Sequence, residues 1–106
     1  MSDLQKAVEV VHKVLSGNGI RPEQFFLFGS RARGDSRPDS EWDIYVAVDR
    51  DLPFAERRSL VTEMKRTLAR LRIPNDIVLK PVGRFNALKE LPGALAYDVA
   101  REGVVL

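Results

Sequence analysis

Phe25-Phe26-Leu27-Phe28-Gly29-Ser30 and, ten residues further on, Glu41-Trp42-Asp43-Ile44-Tyr45-Val46-Ala47-Val48 decide how this chain folds. The first run is apolar without interruption and stops at a glycine, which suits a strand buried on both faces. The second reads as the next strand, over Trp42 to Val48. Side chains alternate along a strand, so Glu41 and Asp43 at its start point to one face, roughly 7 Å apart. Trp42, Ile44 and Val46 point the other way, into a core. Arg31 to Ser40 lies between the two runs and carries Gly34, Pro38 and several Ser and Asp residues. It is loop with room for one helical turn.

Outward from there, the rest of the chain supplies cover for a sheet. Ser2 with Gln5 forms a capping box that opens a helix. Leu4, Ala7, Val8, Val11 and Leu15 recur at helical spacing along it, and Gly17-Asn18-Gly19 ends it. The longest predicted helix spans 54–71, with Leu60, Val61, Met64, Leu68 and Leu71 on one side. Asp76-Ile77-Val78-Leu79-Lys80 is a third strand, closed by Pro81. A helix of that length between the second and third strands is a crossover, which sets those strands parallel. Val82 to Leu106 offers one or two short helices broken at Pro92-Gly93, then Gly103-Val104-Val105-Leu106. The expected class is α/β (α+β), a small mixed sheet flanked by helices, as one domain over residues 1–106.

Composition narrows the function classes. Lys plus Arg is 17 and Asp plus Glu is 15, a net charge of +2, which argues against a nucleic-acid-coating protein. Hydrophobic residues make up 44%, enough for a small core. There is no cysteine, so disulfides and thiolate metal sites are excluded. No apolar run spans a membrane and no secretory signal opens the chain, so the expected location is the cytoplasm.

The chemistry-bearing residues are acidic. Parallel pairing would set Asp76, at the start of the third strand, opposite Glu41 and Asp43. Three carboxylates at one sheet edge repel one another, which raises a pKa or recruits a hard cation such as Mg²⁺. Gly29 lets the backbone approach a ligand closely, and Ser30 adds a hydroxyl beside it. Arg31 and Arg33 would bind phosphate, or hold the loop by pairing with Asp35 and Asp39. His12 reads as a surface residue, and Arg57, Arg58, Lys65, Arg66 and Arg70 as a solvated helix face. Tyr45 shares the face of Asp43.

Gly29-Ser30, ten residues, then Glu41-Trp42-Asp43 resembles the Gly-Ser…Asp-x-Asp signature of the DNA polymerase β-like nucleotidyltransferase superfamily. The strings Gly29 to Asp35 and Ala100 to Leu106 are similar to the minimal nucleotidyltransferase (MNT) family, whose members include MntA-like antitoxins. That resemblance implies a nucleotidyltransferase fold. It implies that Gly29 and Ser30 hold a triphosphate, expected to be ATP. It also implies that the carboxylates of Glu41, Asp43 and Asp76 ligate Mg²⁺ and form the catalytic cluster, Asp76 as a ligand or as general base toward a hydroxyl. The reaction would be attack on the α-phosphorus with release of pyrophosphate. The family's common partner is a small helical HEPN-domain toxin, which the MNT antitoxin can adenylylate. One residue departs from the pattern: Glu41 stands where the family has aspartate. The extra methylene moves the carboxylate by roughly 1.5 Å, and Mg²⁺ tolerates poor geometry badly. A protein that neutralises its partner by contact alone is therefore the competing reading. The short chain after the third strand implies that a partner, or a second copy, completes the surface.

Overall fold

The computed structural model describes residues 1–106. Its core is built on both sides of one four-stranded sheet. The first helix, α1 (Asp3–Gly17), starts at Ser2, whose hydroxyl accepts from the Gln5 amide while the Gln5 side chain accepts from the Ser2 amide. That reciprocal pair satisfies two of the amides a helix start leaves without partners. Ala7, Val11 and Leu15 are fully buried on its inner stripe.

β1 (Pro22–Phe28) follows and runs into a single helical turn, α2 (Ser30–Arg33). β2 (Trp42–Val48), α3 (Phe54–Arg70) and β3 (Asn75–Pro81) form the crossover unit. β2 and β3 are parallel, as the length of α3 predicts, while β1 and β2 are antiparallel. The chain closes with α4 (Val82–Leu88), α5 (Leu95–Glu102) and the short β4 (Val104–Val105). The strand order is β3-β2-β1-β4, so the sheet is mixed and β3 lies at one edge.

Alternation along the strands divides the interior in two. Phe25, Ile44, Val46, Ile77 and Leu79 face α1 and α3 and join a cluster of 15 buried residues. Phe26, Tyr45 and Ala47 face the opposite way and pack with Phe85 of α4 and with Ala96 and Val99 of α5 in a cluster of 6. A side chain on either face of β1 is therefore buried, and this is why Phe25 to Leu27 can be continuously apolar.

Two local expectations change. Leu71, placed on the buried side of the long helix, is 48% exposed. The helix ends at Arg70 and the chain reverses at Arg72, whose φ is 58°, so the apolar stripe stops one residue early. The terminal Val104-Val105 turns out to be a strand, paired antiparallel with Phe26 and Leu27. Gly103 makes that possible: a Cβ there would collide with the Val99 carbonyl and crowd the Leu27 carbonyl.

Candidate functional site

Parallel pairing of β2 with β3 begins at the strand starts. The Trp42 amide donates to the Pro74 carbonyl at 3.0 Å, and Asp43 is in register with Asp76. Both lie on the α4–α5 face of the sheet, since the adjacent Ile44 and Ile77 belong to the opposite core. Asp76 is half-exposed and Asp43 partly buried. Neither carboxylate turns into the apolar interior.

On the other side of Asp43 stands the end of β1, with Phe28 its register partner. Gly29 follows with φ of 73°, a backbone shape that disfavours side chains. A Cβ at this position would run into the Asp43 carboxylate, with Asp43 Oδ2 as its nearest neighbour. The glycine and the aspartate are thus one arrangement: the bend is bare because a carboxylate lies against it. α2 then folds back, with the Ala32 and Arg33 amides donating to the Gly29 carbonyl at 3.1 Å.

The electrostatics show the crowding. Burial, then repulsion by Asp76, then repulsion by Glu41 push the Asp43 carboxyl above the usual carboxylate range, against a weaker opposing pull from Arg33. All three acids therefore act on one spot. They do not close around it as a metal cage, since no group of three His, Cys, Asp or Glu side chains is so arranged. Glu41 sits one residue before β2 begins and is exposed.

The two arginines separate. Arg31 donates to the Pro38 carbonyl at 3.2 Å and the Ser40 carbonyl at 2.9 Å, and its guanidinium lies 4.2 Å over the Trp42 ring. It secures the 31–40 loop through backbone carbonyls and an aromatic face, where sequence suggested either phosphate or Asp35 and Asp39 as partners. Arg33 makes a long pair with Asp35 at 3.4 Å and still reaches the field of Asp43. Ser30 follows Gly29 as the first residue of α2, and its carbonyl accepts from Gly34.

Lys65 escaped the sequence reading, which put it on a solvated face. Its ammonium lies 3.6 Å from Asp76 Oδ1, reaching from α3 around the open edge at β3. No local pattern signals this contact, because it depends on how the helix docks. Tyr45, on the Asp43 face, is buried among Phe26 and Phe85, and that burial raises its phenol pKa.

A glycine-serine bend beside carboxylates on neighbouring strands of a small mixed sheet defines a nucleotidyltransferase-like domain. The chain belongs to the polymerase beta nucleotidyltransferase family, whose model matches residues 9–106. No curated protein matches the chain. Among solved structures, the fold is similar to a toxin-antitoxin crystallised with AMP-PNP, at 23% identity over 92% of this chain and 69% of that one, with a TM-score of 0.60. It is also similar to a toxin-antitoxin MntA-HpeT mutant carrying two aspartate-to-glutamate changes, at 21% identity over 99% of this chain and 72% of that one, with a TM-score of 0.60. A tyrosine-to-alanine mutant of MntA-HpeT matches at 24% identity over 91% of this chain and 68% of that one, with a TM-score of 0.58. At such identities the likeness establishes the fold. No helix is long and apolar enough to cross a membrane.

Proposed function

We propose that residues 1–106 act as one domain that uses Mg²⁺ to transfer a nucleoside monophosphate, AMP from ATP, to a hydroxyl of a partner protein. We propose further that the chain is the antitoxin of a HEPN/MNT-type pair. The observation that carries the reading is the register of Asp43 with Asp76 beside a glycine that the Asp43 carboxylate keeps bare.

The residues suit the cation. Asp43 carries a pKa raised by neighbouring acids, and a divalent ion relieves that repulsion. Mg²⁺ is usually held by one or two carboxylates, with water and substrate phosphates completing the octahedron. A site without three closed protein ligands is consistent with that habit. Asp43 and Asp76 would hold the ion, with Glu41 at the outer side. Bound there, it would neutralise charge on the reacting phosphates.

The chain's own groups do the rest. Gly29 makes room for the Asp43 carboxylate against the bend, which would set the phosphates of a bound ion beside the Ser30 hydroxyl. Arg33 supplies positive charge near Asp43, whereas Arg31 is committed to the loop. The acceptor oxygen bonds to the α-phosphorus as the bond to the bridging oxygen breaks, and pyrophosphate leaves with the electron pair. The acceptor's proton would pass to Asp76 if that carboxylate serves as general base rather than as ligand. Lys65, 3.6 Å from that carboxylate, must yield its contact when Asp76 takes up a proton or an ion.

Similarity in fold to toxin-antitoxin structures, one of them crystallised with AMP-PNP, supports the pairing and the nucleotide. A second reading draws on Glu41, longer than the family's aspartate and lying outside the strand. In that reading the fold neutralises its partner by contact and transfers little. The two separate by intact mass. The protein is mixed with its partner, ATP and Mg²⁺. An adenylyl group added to the partner, and lost in Asp43→Asn, supports transfer. Neutralisation that persists in Asp43→Asn, with no mass added by the native protein, rejects it.

A further inference from the structure

The far end of the same two strands carries a second charged cluster. Arg57 on α3, Lys80 near the end of β3 and Arg84 on α4 line an open cavity of about 680 Å³, with Asp49, Arg50, Asp51, Pro81, Val82 and Gly83 around them. Lys80 shares its face with Asp76, since side chains alternate and Val78 between them packs in the α4–α5 core. Four residues of strand put the two about 13 Å apart.

We propose that Arg57, Lys80 and Arg84 form a binding pocket for a compact, multiply charged phosphate anion, separate from the carboxylate site. None of the three makes a salt bridge or side-chain hydrogen bond: the ion pairs of the chain involve Lys13, Arg21, Arg33, Arg50 and Lys65. Arg50 is neutralised by Asp49 at 2.9 Å and is further held by the Gly19 carbonyl at 2.7 Å. Asp51 lines the wall and pairs with none of the cations. The Arg57 guanidinium lies 5.6 Å over the Phe54 ring, a contact that leaves its N–H donors free of carboxylates.

The three cations repel one another, since the two acids of the cavity wall, Asp49 and Asp51, pair with none of them. Burial first, then Arg57 and Arg84, lower the Lys80 ammonium pKa. Folding holds this charge in place although the chain has 15 acidic side chains that could have been set against it. The chemistry of the ligand follows from the donors. Guanidinium forks match phosphate oxygens bidentately, and an ammonium adds a point charge. A single carboxylate would leave most of these donors unused. Six of the nine lining residues carry charge, which suits an anion.

The test is titration of the whole chain in low salt with EDTA, so that no divalent cation bridges anions to the carboxylates. The probe is inorganic pyrophosphate, followed by calorimetry and by backbone amide shifts. The inference expects shifts centred on residues 80–84. It also expects an affinity loss of at least about tenfold in a Lys80→Met/Arg84→Gln variant, and near-native binding in Asp43→Asn. Arg57→Gln removes a surface guanidinium and should weaken binding several-fold, which keeps the test open if the double variant misfolds. ATP binding more tightly than tripolyphosphate would identify the ligand as a nucleotide, and equal binding as free polyphosphate. Shifts that map instead to the Arg58–Arg66–Arg70 face, or pyrophosphate no better than chloride at matched ionic strength, would overturn the proposal.

Discussion

The two ends of the β2–β3 pair hold opposite charges on one face of the sheet. At the start, Asp43, Asp76 and Glu41 crowd together. At the finish, Lys80 is crowded by Arg57 and Arg84. About 13 Å of strand separates them, beyond the Debye length of about 10 Å at 0.1 M salt. Neither end can neutralise the other, so each keeps its repulsion. They differ in how the surroundings respond. The acidic end has a lysine at its rim and a bare glycine bend beside it, whereas Arg57, Lys80 and Arg84 pair with neither acid of the cavity wall. The contrast teaches that strand register gathers the acids, whereas helix docking brings Arg57 and Arg84 to Lys80.

The sharpest way to break the acidic end is Gly29→Ala. The new methyl meets the Asp43 carboxylate and demands a positive φ, so we expect a loss of about 2–4 kcal/mol in urea-unfolding stability. Nucleotide binding should fall with it, while pyrophosphate binding at the basic end survives in whatever fraction remains folded. Glu41→Asp sharpens the same end. Shortening the side chain to the family's length should raise the adenylyl-transfer rate by about tenfold, read as partner mass against time. An unchanged rate would show that Glu41 lies outside the working site.

The smallest effects are mirror images in pH. Asp43 has a folded pKa above its unfolded value, so the folded state holds the extra proton between them. Stability therefore falls as pH rises from the ordinary carboxylate value through the raised one, and stays lower above. Lys80 has a depressed folded pKa, so the unfolded state binds more protons. Stability then rises with pH from the depressed value up to the ordinary one near 10.5. Asp43→Asn and Lys80→Met should each raise the melting temperature at pH 7 by on the order of 1–3 °C, since both groups are partly solvated. The Asp43→Asn gain should vanish in acid and the Lys80→Met gain in alkali. Thermal melts across pH measure both, and a gain that ignores pH would point to packing.

Much of this molecule was legible in one dimension. The capping box at Ser2–Gln5, the buried strand at Phe25–Leu27 and the parallel crossover through α3 follow from local periodicity and loop length, which depend on neighbours in sequence. The spacing of Gly29-Ser30 from Asp43, and the position of Asp76 at a strand start, were likewise readable. Arg31 was only half legible. Its charge was visible, but its commitment to the Pro38 and Ser40 carbonyls depends on how the loop curls.

Other features came into being only with the packed chain. Val104-Val105 becomes a strand because β1 has a free edge to receive it and Gly103 can pass between two carbonyls. Lys65 meets Asp76, and Arg57 joins Lys80 and Arg84, because α3 docks across β3 and carries side chains to both ends of it. Sequence sets which charges exist and how they are spaced along each element. Which of them meet is decided by docking, since Coulomb interactions act through space and the burial that strengthens them exists only once the core has closed.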